Sequence, residues 1–339
     1  MKAVGYQKSL PIEQADSLLD IDCAKPTATG HDLLVEVKAI SVNPVDTKIR
    51  QRASADGDDY KILGWDAAGV VSAVGEKVSR FKVGDEVWYA GDVSRAGSNA
   101  EYQLVDERIV GYKPNSLSFA EAAALPLTTI TAYELLFERL QLTRDSDGDG
   151  RAQRLLVVGG AGGVGSILLQ LARQLTDATI IATASRTESR EWALQHGADI
   201  VIDHSKPLDE ELAAHGVDPI THAACLTHSG QHYAAIINAM QAQGRFALID
   251  DPSEPLDISL MKRKSISLHW EFMFTRALFN TEDMAEQHRL LCEVADLVDA
   301  GRIKSTLAAN FGKVNADNLR RAHQQLESQS TIGKIVLEF

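Results

Sequence analysis

Leu155-Leu156-Val157-Val158-Gly159-Gly160-Ala161-Gly162-Gly163-Val164-Gly165 decides the fold of this chain. The apolar run Leu155–Val158 reads as a buried strand, and the amphipathic run Ser166–Leu175 reads as a helix. Between them Gly160, Gly162 and Gly165 stand at G-x-G-x-x-G spacing. In that setting the first glycine permits a sharp turn and the second lets the backbone approach a pyrophosphate. The third lets helix and strand pack closely. The helix N-terminus then faces the phosphates with unpaired amides. Glycine-rich turns are common, so the spacing alone is a weak signal. Its place between a strand and a helix, with more such units after it, points to a dinucleotide site.

Outward from that turn, strands and helices alternate. Thr179–Thr183, Ile200–Ile202, His222–Cys225, Arg245–Ile249 and Ser265–His269 are further strand candidates, with helices such as Ser189–His196 and Gln231–Met240 in the gaps. This pattern predicts an α/β fold with a Rossmann, doubly wound parallel sheet. Roughly the first 120 residues read instead as short strands separated by turns, the pattern of a barrel or sandwich. Asp32–Val42 alternates apolar and polar positions, and Gly69–Val74, Glu86–Tyr89, Glu101–Val105 and Arg108–Tyr112 continue the series. Phe119–Leu125 and Thr129–Leu140 are helical in pattern. Beyond Trp270 come a long amphipathic helix, Thr281–Ala300, a second over 315–328, and a closing strand, Ile332–Phe339. These last segments are expected to rejoin the first domain, in a sheet that includes both termini.

The chain has 339 residues, enough for two domains. A formal net charge of -13 argues against nucleic acid or an anionic membrane surface as partner. Cys23, Cys225 and Cys292 lie far apart, with no CxxC pair. The opening MKAVGYQKSL carries no long apolar segment, and no run is long enough to span a bilayer. A cytoplasmic, reducing location is the expectation.

Asn43-Pro44-Val45-Asp46, Gly64-Trp65-Asp66-Ala67-Ala68-Gly69, Val83-Gly84-Asp85-Glu86-Val87, Ala122–Thr128 and the glycine turn occur in that order. Together they resemble the medium-chain dehydrogenase/reductase superfamily, in its quinone oxidoreductase and zinc-type-alcohol-dehydrogenase-like branch. The resemblance runs over nearly the whole chain. It implies a GroES-like β-barrel domain from residues 1–124 plus 271–339, and a Rossmann domain from 125–270. It also implies a cleft between them where cofactor and substrate meet, and a homodimer joined through the last Rossmann strand.

Zinc members of that superfamily place a first ligand near Asn43–Asp46 and a histidine in a Gly-His-Glu motif. Here no cysteine stands at the first place and Trp65 stands at the second. Indole is no ordinary zinc ligand, and Asp46 with Asp66 makes a poor zinc site. No metal is expected. Asp145–Gly150 imitates the start of a calcium loop, but Leu156 stands where the bidentate acid belongs, so a solvated loop is expected.

The second Rossmann strand ends at Thr183-Ala184 with no carboxylate before Glu188. Ser185 and Arg186 instead offer donors to a 2′-phosphate, which favours NADPH over NADH. The resemblance places Asn43, Asp46 and Thr129 near the nicotinamide or the substrate, although Asp46 reads equally as a support for Lys48 or a backbone amide. It places a base at Lys334 against the pyrophosphate. Phe272 and Phe274 fall in the stretch where relatives contact the carboxamide. Trp65, Phe272 and Phe274 read as aromatic walls or, equally, as packing. Tyr133 reads as a proton donor or as a core phenol. Gly160, Ala161, Gly162, Gly163, Val164, Gly165, Leu226, Leu248 and Ile249 are the expected lining of the cofactor groove. His204, His222, His228 and His232 fall on different elements and read as surface or capping residues. The implied reaction is hydride transfer from NADPH to a small-molecule quinone or α,β-unsaturated carbonyl. The alternatives are a zinc-type alcohol dehydrogenase with an atypical metal site, and a catalytically silent NADPH-binding protein.

Overall fold

The computed structural model describes residues 1–57, 59–144 and 152–339. The acidic stretch Asp145–Gly150 lies outside the described residues. The chain begins with β1 (Lys2–Tyr6), β2 (Leu19–Asp22) and β3 (Asp32–Ser41), then α1 (Pro44–Arg52). Next come β4 (Lys61–Ile62), β5 (Ala67–Val74), β6 (Glu86–Tyr89), β7 (Tyr102–Asp106) and β8 (Val110–Tyr112). Then α2 (Phe119–Ala123) and α3 (Pro126–Tyr133) lead into a π-helical turn, Glu134–Arg139. The Rossmann run is β9 (Arg154–Val158), α4 (Gly163–Leu175), β10 (Thr179–Thr183), α5 (Thr187–Gln195), β11 (Ile200–Ile202) and α6 (Leu208–Ala214). It continues through β12 (Ile220–Cys225), α7 (Ser229–Ala239), β13 (Met240–Leu248), α8 (Ser259–Lys262) and β14 (Ser267–Trp270). The chain closes with α9 (Thr275–Phe279), α10 (Glu286–Asp299), β15 (Leu307–Lys313), α11 (Ala316–Glu327) and β16 (Lys334–Glu338).

Two compact units result, one of Met1–Ile130 with Phe274–Phe339, the other of Thr131–Met273. In the first unit β15-β16-β3-β5-β6-β8 lie in that order, with β7 also paired to β3, and β2-β1-β4 form a separate sheet. The two chain ends therefore share a unit but not a sheet, because β1 pairs with β2 and β4 while β16 pairs with β3 and β15. A helix stands at Pro44–Arg52, within a stretch that the sequence reads as mostly β. Pro44 takes the first helical position and Asp46 accepts the Asn43 N–H, which starts a helix without an apolar stripe.

In the second unit β11-β10-β9-β12-β13-β14 form a parallel sheet. Buried on both faces, its central strands read as near-continuous apolar runs, which is why Arg154–Val158 and Thr179–Thr183 are legible. Leu156, Val158, Ile181, Ala223, Phe246 and Leu248 pack with α6 and α7 in the core. β13 begins at Met240, ahead of the expected Arg245, and its register with β12 shifts between Ile220 and His222. Among the described residues no helix is long and apolar enough to cross a membrane.

Candidate active site

The glycine turn is built as its spacing requires, with one change of role. The positive φ falls on Gly159 (+87°), so Gly159 and not Gly160 makes the sharp turn. Gly160 is needed for another reason: a Cβ there would come within 2.8 Å of the Ala182 Cβ in β10. At Gly165 a Cβ would lie 2.4 Å from the Gly159 carbonyl oxygen, so the third glycine does let helix and strand close up. Gly162 meets nothing nearer than 3.5 Å and caps the N-terminus of α4. The Gly159 amide donates to Thr183 Oγ1 at 3.1 Å, tying the turn to the end of β10. An open second glycine beside the unpaired amides of α4 fits a pyrophosphate, while Ala161 is buried. Ser185 and Arg186 are exposed just beyond β10.

Leu226 and Ile249 are half-buried at the ends of β12 and β13. Leu248 corrects the expectation: it is fully buried within the core, because its side chain shares the inward face of β13 with Phe246. Phe272 is 48% exposed. Glu271, unremarked in the sequence, is buried beside it and lies 2.7 Å from Arg139. Burial, together with Glu134 and against Arg139, pushes its carboxyl well above the usual carboxylate range. Tyr133 is buried and its hydroxyl accepts a 2.8 Å bond from Arg144.

The first unit holds a buried polar cluster. Asp66 Oδ2 accepts from Ser41 Oγ at 2.9 Å, Asn43 Nδ2 at 3.0 Å and Lys334 Nζ at 2.9 Å. Its Oδ1 accepts the Leu127 amide at 3.0 Å. Lys334 Nζ also donates to the Val42 carbonyl at 3.1 Å and to Asn43 Oδ1. Lys334, expected against a pyrophosphate, is thus committed to Asp66, Asn43 and Val42, with 3% of its side chain exposed. A buried carboxylate needs such a cation, and β16 delivers it beside β3.

Asp46 lies in the same neighbourhood. Its Oδ2 accepts the Asn43 N–H at 2.6 Å, and its Oδ1 has no hydrogen-bond partner. Burial pushes its carboxyl up to about 7, aided by the charge of Asp66 and opposed by the Asn43 N–H, Lys334 and the Gly64 N–H. The Asn43 backbone amide is thus one group that Asp46 supports. Thr129 is fully buried, with Oγ1 unpartnered. Trp65 is buried, donates from Nε1 to the Asp92 carbonyl at 3.0 Å, and meets Phe274 edge to face at 6.3 Å.

Residues 29–133 match the family pattern described as alcohol dehydrogenase GroES-like domain, and 196–337 match that of zinc-binding dehydrogenase. A zinc-type alcohol dehydrogenase-like protein of Staphylococcus epidermidis is 36% identical over 99% of both chains. A solved Rhizobium etli structure, named after the zinc-dependent alcohol dehydrogenases, is 55% identical at a TM-score of 0.96, covering 100% of this chain and 98% of that one. An NADPH-dependent alkenal/one oxidoreductase of Arabidopsis thaliana is 38% identical over 57% of this chain and 50% of its own. The chain is an oxidoreductase-fold protein of the medium-chain dehydrogenase/reductase superfamily, with a GroES-like domain and a Rossmann domain. It belongs among the zinc-type alcohol dehydrogenase-like proteins of that superfamily.

The zinc in those names does not fit the residues present. Trp65 offers an N–H donor and no lone pair. Both oxygens of Asp66 are filled, one of them by an ammonium. Among the described residues no group of three His, Cys, Asp or Glu side chains could hold a metal ion.

Proposed function

We propose that this chain is a zinc-independent, NADPH-dependent reductase of α,β-unsaturated carbonyls or quinones. The observation that carries the reading is Lys334: a fixed ammonium stands on the carboxylate that follows Trp65 in the motif where a zinc enzyme keeps its histidine ligand. Gly162 and the α4 N-terminus would hold the pyrophosphate, with Ser185 and Arg186 on a 2′-phosphate. Thr129 Oγ1, buried without a partner, suits the polar edge of a nicotinamide. Bound there, a reduced nicotinamide supplies a hydride.

The residues suit a conjugated acceptor better than a simple carbonyl. A saturated ketone needs strong polarisation of its oxygen, which a Lewis acid provides. An enone or quinone spreads the incoming charge, and a few hydrogen-bond donors suffice. Asn43 gives one amide N–H to Asp66 and keeps the second for a substrate oxygen. Asp46 accepts the Asn43 N–H on Oδ2, and burial pushes its carboxyl up to about 7. The partial relation to an alkenal/one oxidoreductase supports the same choice.

The test is turnover of NADPH with a panel of alkenals, alkenones and quinones, set against saturated aldehydes and against alcohols with NADP⁺. Activity confined to the conjugated panel supports the reading. Activity on alcohols alone contradicts it, and nucleotide binding without any turnover marks a silent binding protein. We further propose a cytoplasmic homodimer paired through β14, an edge strand whose Trp270 is 53% exposed. A monomer in sedimentation at micromolar concentration would exclude the dimer.

A further inference from the structure

Three histidines gather at the carboxyl ends of the Rossmann strands, and the reading above uses none of them. β10 and β11 run parallel with Thr183 opposite Ile202, and the Ala184 amide donates to the Ile202 carbonyl at 3.0 Å. Ser185-Arg186 and Asp203-His204 therefore leave the sheet side by side. The His204 ring lies 6.1 Å from that of His232, edge to face, on the first turn of α7. His228 begins that helix in a left-handed conformation, φ 52°.

Several polar atoms of the cluster are buried without partners. His204 Nδ1 and Ser229 Oγ are buried with no hydrogen-bond partner. Asp203, the carboxylate next to His204, turns its Oδ1 onto the Ser205 amide and hydroxyl at 2.9 and 2.7 Å. Asp250 gives Oδ2 to the Ser229 amide at 2.9 Å, while its Oδ1 is buried with no hydrogen-bond partner. Burial, with His228 and Arg186 and against Asp203, holds His204 below the usual imidazole range. Burial, with His204 and His228 and against Asp250, does the same for His232. Groups able to carry positive charge thus face one another at the place where a Rossmann fold receives the adenosine ribose.

We propose that His204 is a specificity residue of the nucleotide site, taking up a proton as a 2′-phosphate binds beside Ser185 and Arg186. The inference rests on the nucleotide reading above and adds a proton to it. In the free protein burial first, and then the neighbouring His228 and Arg186, hold the imidazole below its usual range. A phosphate dianion reverses that balance and binds the imidazolium more tightly than the imidazole. Preference for the phosphorylated dinucleotide then falls as pH rises. The phosphate alone would act oppositely: its second pKa is about 6, so held by Arg186 only it releases a proton on binding.

Isothermal titration of NADPH and NADH, in two buffers of unequal ionisation enthalpy, counts the protons. Net uptake with NADPH and none with NADH is expected at neutral pH. The ratio of their dissociation constants should change about tenfold between about pH 6 and about pH 8, the effect of one proton bound tenfold more tightly. His204→Asn should abolish the uptake and flatten the ratio. His204→Lys, a permanent cation, should keep the preference and lose its pH dependence. Binding of NADPH with proton release, or with uptake unchanged in His204→Asn, would overturn this proposal alone. No binding of either nucleotide would overturn the functional reading and this proposal with it.

Discussion

Lys334 Nζ stands 2.9 Å from Asp66 Oδ2, with side chains 3% and 0% exposed. Two ions so placed are each costly to bury alone and tolerable together. Lys334→Met should therefore destabilise the protein by about 3–5 kcal/mol, because it strands the Asp66 carboxylate. Adding Asp66→Asn should recover part of that loss. Urea unfolding of the two single variants and the double variant closes the cycle, and additive losses would show that the pair is not coupled.

Asp46 gives stability a pH dependence of defined sign. Its folded-state carboxyl titrates at about 7, above the ordinary aspartate value, because it is buried. Between those two values the folded chain keeps a proton that the unfolded chain has released. Stability from this group is full at acid pH, falls as pH rises toward 7, and is flat above it. The slope is at most about 1.4 kcal/mol per pH unit. Asp46→Asn should remove it, as judged by chemical unfolding across that window.

His323 acts the other way. It is fully buried with neither ring nitrogen hydrogen-bonded, and burial, with Arg50, lowers it to about 3. As pH falls from the ordinary histidine value toward 3, the unfolded chain gains a proton that the folded chain refuses, so stability drops. His323→Leu should flatten that acid limb. An unchanged acid limb in thermal unfolding would locate the loss elsewhere.

Two glycines of the turn should separate folding from binding. Gly165→Ala drives a Cβ against the Gly159 carbonyl at 2.4 Å and should cost roughly 3 kcal/mol. Gly162→Ala meets only the same oxygen at 3.5 Å and should fold normally. Its NADPH affinity should fall tenfold or more, about 1.4 kcal/mol. Melting temperature and nucleotide fluorescence titration read the two effects, and a Gly162→Ala protein that binds as wild type would place the pyrophosphate elsewhere.

Local pattern carried much of this into the sequence. The Rossmann strands were legible because both faces are buried, and the glycine spacing because close packing admits no side chain at Gly165. What stayed hidden was long-range. Lys334 meets Asp66 across 268 residues, and nothing in Gly333-Lys334 names its partner. The positive φ falls on Gly159, one residue ahead of the Gly160 that the motif spacing marks, and two adjacent glycines do not say which of them takes it. Leu248 reads as groove lining at a strand end, and only the face it shares with Phe246 puts it in the core. The α1 helix escaped because its start is set by a proline and a cap, not by apolar periodicity.

The most direct test measures zinc and turnover in one preparation. Protein purified without added metal, then treated with chelator, should contain far less than one zinc per chain and still reduce a conjugated enone or quinone with NADPH at an undiminished rate. One tightly held zinc per chain, whose removal abolishes turnover and whose return restores it, would contradict the account.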